Sequence, residues 1–247
     1  MADLRPRYCI GNVTMPAKTR LSAVLDRLEK AYGRPSPIPP RGPFEHVLWE
    51  NVAYLVSDER RREAFRALKQ RVGTEPQDIL AASDDVLHPI AAMGGMHPER
   101  RVAVLRDIAG KAVKEFDGKL DRVLDLPLGQ ALKALRQFPS IGEPGAEKIL
   151  LLCGARPLFA LESNAVRVLL RLGYGEEAKS YSTTYRKVRE AVEREIDKRV
   201  PWLVRARELL RRHGQEVCKR SAPLCEACPL QESCRYWERI VVSSKRI

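Results

Sequence analysis

Four cysteines near the end of the chain follow the pattern C-x6-C-x2-C-x5-C. Thiolates bind zinc ions and iron–sulfur clusters, and four of them at such short spacing can surround one inorganic centre. Structural zinc sites usually contain two cysteine pairs separated by a longer loop. Because only one C-x2-C pair is present here, the spacing favours an iron–sulfur cluster over zinc. The predicted metal ligands are Cys218, Cys225, Cys228 and Cys234.

A second candidate site is a tight turn between two helices at residues 131–154. The segment ALKALRQF predicts the first helix and PSIG the turn, and PGAEKILLLCG predicts a helix from Pro144 to Gly154. Small residues before a helix start leave backbone N–H groups free to bind a phosphate. An ordinary helix–helix turn is the alternative. The candidate phosphate contacts are Ser140, Ile141, Gly142 and Gly145.

One carboxylate precedes a predicted helix in the segment LESNAVRVLLRLGYG. Glu162 comes directly before the helix expected over 163–172. A carboxylate there can simply stabilise the helix dipole, and the residue type alone favours this structural role. It can also stabilise a developing positive charge or activate a water molecule, which would make Glu162 a candidate catalytic residue.

Composition narrows the class of partner. The 247-residue chain carries 44 basic and 32 acidic residues, a formal charge of +12, which favours nucleic acid over a merely solvated basic surface. The N-terminus lacks the apolar core of a signal peptide, and no apolar run reaches the length of a membrane span. We therefore expect an intracellular, cytoplasmic protein with reduced thiols and no membrane partner. Cys9 and Cys153 fall outside the metal pattern.

The elements that must position these residues are helical. Apolar residues recur at helical spacing and no run of alternating strands is evident, so the sequence predicts an all-α fold. Five prolines within residues 34–43 predict a stiff connector. Because of this connector, we expect residues 1–33 to pack against the C-terminal part of the chain. Helices are expected over residues 19–32, 44–56, 58–72, 76–83, 84–93, 97–116, 129–137, 144–153, 163–172, 183–198 and 200–213.

These motifs together resemble one family. The cysteine spacing, preceded by LLRRHGQEVC, is similar to the cluster loop of endonuclease III and the MutY adenine glycosylase, members of the helix–hairpin–helix DNA glycosylase superfamily. FPSIGEPGAEKIL resembles the LPGVG-x-x-x-A hairpin of that family, and LESNAVRVLL resembles its V-D-x-x-V-x-R-V segment. The resemblance implies a 4Fe-4S cluster and two helical domains. One is a six-helix barrel over 44–155 that ends in the hairpin, and the other is a discontinuous cluster domain over 1–43 and 156–247.

The resemblance also implies a function in base excision repair. A monomeric glycosylase would bind double-stranded DNA, flip a damaged or mispaired base and hydrolyse its N-glycosidic bond. Glu162 falls at the position of the family's catalytic aspartate. Pro144 falls where bifunctional members carry the lysine that cuts the strand, so we expect no lyase activity. Lys219 and Arg220 in the cysteine loop would contact DNA phosphates, with a role in solubility alone as the equal alternative.

The N-terminal half offers candidate pocket residues. PFEHVLWENVAYLVSD resembles the first core helix of the family, and Leu55 falls where endonuclease III has a glutamine that fills the gap left by the flipped base. Core packing is the alternative for these helix residues, an exposed polar loop is the alternative for His97, and two other functions stay open. These are a lesion-binding protein without catalysis and a zinc-stabilised helical module that binds nucleic acid. The candidate lesion-pocket residues are Trp49, Asn51, Tyr54, Leu55 and His97.

Overall fold

The structure, a computed structural model, describes residues 20–36 and 38–244. Within these ranges all regular structure is helical and no strand occurs, which confirms the predicted all-α class. Cys9 lies outside the described residues. The α-helices are α1 (Leu21–Tyr32), α2 (Pro43–Asn51), α3 (Asp58–Arg71), α4 (Pro76–Ala81), α5 (Asp84–Met93), α6 (Pro98–Phe116), α7 (Leu128–Leu135), α8 (Glu143–Leu152), α9 (Ser163–Leu172), α10 (Tyr181–Val192), α11 (Val200–Glu216) and α12 (Arg235–Ser244).

The largest differences from the sequence prediction concern three helices. The helix expected over 44–56 ends at Asn51, so residues 52–57 form a loop instead. The helix expected over 183–198 begins at Tyr181 and ends at Val192, where a short 3-10 turn follows. Helix α12 was not predicted, since its short amphipathic pattern comes directly after the cysteine loop. The first of these corrections matters most because the loop presents two candidate site residues to solvent.

The buried apolar side chains that the structure describes fall into two cores. One core runs from Phe44 to Leu150 and is built by helices α2 to α8. The other combines residues of α1 with residues from Leu151 to Cys234. This grouping supports the proposed barrel domain and the proposed discontinuous cluster domain, with the change of core falling near the end of α8.

Helix α1 joins the C-terminal half of the chain by packing against α11. Leu21, Leu25 and Leu28 on one face of α1 are fully buried in the second core. On its exposed side, Arg205 of α11 donates hydrogen bonds to Glu29 and Asp26 at 2.6–2.9 Å. Burial of the apolar face contributes most of the attachment, because partly exposed ion pairs add little to stability.

A buried carboxylate links helix α8 to the second core. Glu147 accepts a 2.5 Å hydrogen bond from the hydroxyl of Tyr185 and a 2.6 Å hydrogen bond from Arg189, both on α10. Burying a charge is costly unless it is paired and hydrogen-bonded, and both conditions hold here. Helix α8, which follows the predicted hairpin, is therefore fixed in orientation relative to α10.

No helix in the described part of the chain is long and apolar enough to cross a membrane.

Candidate nucleic-acid interface and cysteine site

The predicted hairpin connects α7 to α8. The N–H of Ile141 donates a 3.2 Å hydrogen bond to the carbonyl of Phe138 and closes the turn. Ser140 has a left-handed backbone with φ of 62° and donates its hydroxyl to Asn51 at 2.9 Å. Gly142 is the exposed N-cap of α8, with an extended backbone and no side chain to cover the helix start. The turn therefore has the local geometry of an anion site at a helix N-terminus.

Two predicted pocket residues are part of the barrel interior. The Asn51 side-chain amide donates to the carbonyls of Val47 and Pro139, each at 2.9 Å, so it ties α2 to the hairpin. The Trp49 ring is buried edge-on against Phe65, with the ring centroids 5.4 Å apart. Both side chains support the surface that carries the hairpin, and neither offers an open face to a ligand.

The loop after α2 exposes two large side chains. Tyr54 is 68% exposed and Leu55 is 77% exposed, and Leu55 has a left-handed backbone with φ of 53°. The N–H of Tyr54 donates a 3.0 Å hydrogen bond to the carbonyl of Gly94, so the loop before α6 lies next to the loop after α2. In that second loop Met96 is 69% exposed and His97 is also exposed. The two loops together present apolar side chains to solvent.

Met96 was missed by sequence reasoning, although an apolar residue after two glycines is an available signal. The loop that carries it is held from behind by Arg101, which is buried. The guanidinium donates hydrogen bonds to the carbonyls of Ala91 at 2.8 Å and Met96 at 3.0 Å. A well-held loop can keep an apolar side chain in water without collapsing onto the surface.

Glu162 is the N-cap residue of α9, as its position before the helix suggested. Its Oε1 accepts the Ala165 N–H at 2.8 Å and its Oε2 accepts the Asn164 side-chain amide at 2.8 Å. Arg167 in turn donates to the Asn164 amide oxygen at 2.7 Å and to the carbonyl of Gly214 at 2.7 Å. The carboxylate is thus partly buried and held in one orientation at the positive end of a helix.

A buried ion pair lies between α8 and α2 and carries no local sequence signal. The ammonium of Lys148 is 2.5 Å from Glu50. Burial alone would raise the pKa of Glu50, but the charge of Lys148 and its hydrogen bond hold it below the usual range. Burial lowers the pKa of Lys148 despite the opposing effect of Glu50. Nearby, burial and the charge of Lys148 lower the pKa of His46 to about 4.

The four predicted metal ligands line one small cavity. Burial raises the pKa of Cys228 to about 11, and the neighbouring thiols Cys218, Cys225 and Cys234 add to this effect. The N–H of Leu230 donates to the Cys228 sulfur at 3.4 Å. In the described ranges no group of three or more His, Cys, Asp or Glu residues is arranged so that it could hold a metal ion. The four thiols around one cavity, with an N–H donor to sulfur, fit a centre with thiolate ligands.

Arg171 connects this cavity to α9. Its guanidinium donates to the Cys218 sulfur at 3.3 Å and to the carbonyl of Lys219 at 2.8 Å, and it lies 4.4 Å from the centroid of the Tyr236 ring. The side chains of Lys219 and Arg220 are exposed on the outside of the same loop. The loop thus presents cationic side chains to solvent while its backbone is held by α9.

Similarity to known proteins extends over most of the chain, although no protein-family model matches it. It is 24% identical over 201 residues to endonuclease III of Sulfolobus acidocaldarius, covering 80% of this chain and 83% of that protein. It is 30% identical over 113 residues to endonuclease III of Rickettsia felis, which is 45% of this chain and 49% of that protein. It is 23% identical over 189 residues to the thymine-DNA glycosylase of Aeropyrum pernix, covering 75% and 80%.

Solved structures agree in fold. A non-covalent endonuclease III–DNA complex superimposes with a TM-score of 0.70 at 20% identity, over 92% of this chain and 100% of that chain. A thermostable thymine-DNA glycosylase gives 0.69 at 17% identity, over 89% and 95%. The chain is therefore similar in sequence to endonuclease III and shares the fold of endonuclease III and of thymine-DNA glycosylase. This agrees with the resemblance that the sequence motifs indicated.

In this protein the three motifs meet around α11. Helix α8, which begins at the hairpin, and α9, which begins beside Glu162, both pack against α11. Arg167 reaches from α9 to the carbonyl of Cys218 at 2.9 Å, so the cysteine loop follows the end of α11 and is bonded to α9. The structure therefore brings together motifs that lie far apart in the sequence.

Proposed function

We propose that this protein is a DNA glycosylase of base excision repair that hydrolyses the N-glycosidic bond of a damaged or mispaired base in double-stranded DNA. The observation that carries the proposal is the Glu162 carboxylate, held at the start of α9 by the Ala165 N–H and the Asn164 amide. Relatives named endonuclease III and thymine-DNA glycosylase support the same class of activity. Such an enzyme would work on DNA in the cytoplasm or nucleoid, as a monomer.

In this proposal Glu162 acts on the sugar of the flipped nucleotide. Each carboxylate oxygen accepts one hydrogen bond here and has two lone-pair directions, so acceptor capacity remains on both. The negative charge would stabilise the oxocarbenium ion that forms as the base leaves, or polarise the attacking water. Because Asn164 and Ala165 fix the carboxylate, little reorganisation would be needed during the reaction.

We propose further that the enzyme is monofunctional. Pro144, at the start of α8, has no amine that could form a Schiff base with the sugar. Lys148 lies one turn later in the helix and is not available as a replacement, since its ammonium is buried and paired with Glu50. The product would then be an abasic site with an intact strand.

Binding would use both cores. The backbone N–H groups of Ser140, Gly142 and Gly145 would hold a phosphate, while the N–H of Ile141 closes the turn that presents them. Lys219 and Arg220 would neutralise other phosphates. Leu55 is exposed on the strained loop and would fill the stack vacated by the flipped base, with Met96 beside it on the neighbouring loop. Tyr54 and His97 would border the same opening. Trp49 and Asn51 would support this surface from within.

The proposed cofactor is a 4Fe-4S cluster held by Cys218, Cys225, Cys228 and Cys234. These cysteines line one cavity, and Arg171 bonds both to a cysteine sulfur and to the loop backbone. When bound, the cluster would cross-link the loop and give it one rigid shape. The loop residues that face solvent, Lys219 and Arg220, would then contact DNA phosphates with little loss of side-chain and backbone freedom on binding.

A second candidate function is lesion binding without catalysis. It is favoured by the fact that both Glu162 oxygens already accept a hydrogen bond, one from the Ala165 N–H that caps α9 and one from the Asn164 side-chain amide. It is also favoured by the altered residues at both positions that carry chemistry in the family. A glutamate that serves only as a cap would leave a protein that recognises distorted DNA and releases no base.

Single-turnover base release separates these functions. Duplexes containing uracil, thymine mismatches, oxidised pyrimidines, 8-oxoguanine, alkylated purines or deaminated purines are assayed with and without hot alkali. We expect cleavage only after alkali, and a loss of at least a hundredfold in Glu162→Gln with DNA affinity retained. Glu162→Asp should keep activity, and Glu63→Gln, at an exposed position on α3, should not change it. Equal rates for wild type and Glu162→Gln, or binding without release of any base, would refute the proposed catalytic role.

The monofunctional assignment has its own test. Borohydride should trap no covalent complex with wild-type protein on an abasic duplex. In Pro144→Lys the introduced amine should restore trapping and strand cleavage, because it stands at the family position. Trapping by wild-type protein that disappears in Lys148→Met would instead assign lyase activity to Lys148 and overturn this part of the proposal.

A further inference from the structure

A buried histidine lies between the first helix and the cysteine cavity. His213 on α11 is 1% exposed. Its Nδ1 is 2.6 Å from the hydroxyl of Tyr32 on α1, and its Nε2 is 3.6 Å from the sulfur of Cys228. Each ring nitrogen therefore has one partner, and the three side chains form a continuous chain of contacts from α1 to the cavity.

The chemistry of the partners assigns the direction of the two hydrogen bonds. A metal-bound cysteine is a thiolate and can only accept a hydrogen bond, so Nε2 must carry the proton that faces Cys228. The neutral ring then has a lone pair on Nδ1, which accepts the hydroxyl proton of Tyr32. Tyr32 thus selects the tautomer in which His213 donates toward the sulfur, as outer partners commonly do for residues near a metal site.

Tyr32 is itself held in place by the helix that carries His213. Arg212 donates a 2.9 Å hydrogen bond to the Tyr32 carbonyl, and its guanidinium lies 4.9 Å from the centroid of the Tyr32 ring. The centroids of the Tyr32 and His213 rings are 5.9 Å apart, and the ring planes meet at 38°. This arrangement is consistent with contact through the Tyr32 hydroxyl. The orientation of the histidine is thus determined by packing of α1 on α11, not by the cysteine loop.

We infer that His213, oriented by Tyr32, is a positioning residue that donates a hydrogen bond to the Cys228 thiolate and makes the cluster easier to reduce. A hydrogen bond to a ligand sulfur withdraws electron density from the cluster and so raises its reduction potential. This inference rests on the proposed 4Fe-4S cluster. It extends that proposal because it gives α1, which is remote from the hairpin and from Glu162 in sequence, a defined effect on the cofactor.

The test is voltammetry of the purified holoprotein. In His213→Leu the reduction potential of the cluster should become more negative by about 59 mV. For a one-electron couple this shift lowers the ratio of reduced to oxidised cluster about tenfold at a fixed applied potential. Tyr32→Phe should move it in the same direction by less. His213→Gln, whose amide can still donate, should recover part of the change. The control is His88→Leu, at an exposed position on α5.

A spectroscopic measurement distinguishes the hydrogen bond from a packing effect. The iron–sulfur stretching bands in resonance Raman spectra should shift between H₂O and D₂O for wild type, and less for His213→Leu and Tyr32→Phe. Wild-type protein without visible cluster absorption would overturn the cofactor proposal and this inference with it. A normal cluster with unchanged potential and bands in Tyr32→Phe and His213→Gln would overturn this inference alone, even if His213→Leu failed to fold.

Discussion

Asp58 and Arg211 join the two cores through two parallel hydrogen bonds, each of 2.8 Å. Asp58 is the first residue of α3 in the barrel core, and Arg211 lies on α11 of the other core. The hydrogen bond from Arg211 and its charge hold the pKa of Asp58 below its usual range against the effect of burial. Since α11 also packs against α8 and α9, this pair couples the exposed loop before α3 to the helices that carry the hairpin and Glu162.

The first prediction concerns this pair. Asp58→Ala should lower the free energy of unfolding by about 1–2 kcal/mol, because it leaves Arg211 partly buried without its partner while the half-exposed carboxylate limits the effect. The folded-state pKa of Asp58 lies below its unfolded value, so this contribution is present near neutral pH and is lost in acid, as the carboxyl protonates. Denaturant unfolding of the single and double variants with Arg211→Ala gives the coupling energy. An additive cycle, or an equal loss in Glu190→Ala on the surface of α10, would contradict the prediction.

The second prediction concerns the contact between α9 and α11. A Cβ at Gly214 would lie 2.7 Å from the Asn164 Cβ and 2.8 Å from its carbonyl oxygen, so Gly214→Ala must displace the start of α9. We expect a loss of about 1–3 kcal/mol in stability, and a larger fractional loss in base release than in DNA binding, because Asn164 holds Glu162. The matched control is Gly110→Ala in α6, where nothing lies within 4 Å. Base release unaffected in a folded Gly214→Ala variant would show that this packing does not position the carboxylate.

The third prediction concerns acid stability. His46 is fully buried, neither ring nitrogen has a hydrogen-bond partner, and its pKa falls from 6.5 to about 4. As the pH falls, His46 therefore binds a proton in the unfolded chain before it does so in the folded protein. Stability is lost as the pH falls from about 6.5 to about 4. The difference corresponds to about 3 kcal/mol. His46→Leu should remove most of this loss and add about 1 kcal/mol at pH 7, since two unsatisfied nitrogens disappear. Parallel acid curves for wild type and His46→Leu, or the same effect in exposed His88→Leu, would contradict it.

Much of the fold and of the candidate cysteine site follows from local sequence. The helical period predicts the all-α class, and the cysteine spacing predicts which four residues line the cavity. The start of α9 can be predicted because Glu162 comes directly before residues with apolar side chains at helical spacing. A helix N-cap is formed by residues that are close in sequence. The two-domain division stays a prediction that the two separate cores support.

Contacts between distant residues could not be predicted in this way. The apolar pattern of α2 continues to residue 56, yet the helix ends at Asn51 because the next segment packs against the loop at Gly94. A side chain at Gly94 would overlap the carbonyl of Val52, so the two loops fit only with glycine there. The Lys148–Glu50 pair also joins residues far apart in sequence. Helical periodicity gives no reason to expect two charges in a buried position.

The last prediction separates the exposed loop's function from its stability. Leu55 has a φ of 53° and is 77% exposed, so Leu55→Gly removes little buried surface and relieves backbone strain while increasing the freedom of the unfolded chain. These effects oppose each other, and we expect stability to change by less than about 1 kcal/mol. Base release from a paired lesion should fall by at least tenfold, because no side chain is left to fill the vacated stack, whereas release from single-stranded DNA should not. Leu80→Ala, at an exposed position on α4, is the control. An unchanged rate on paired DNA would show that Leu55 does not enter the stack.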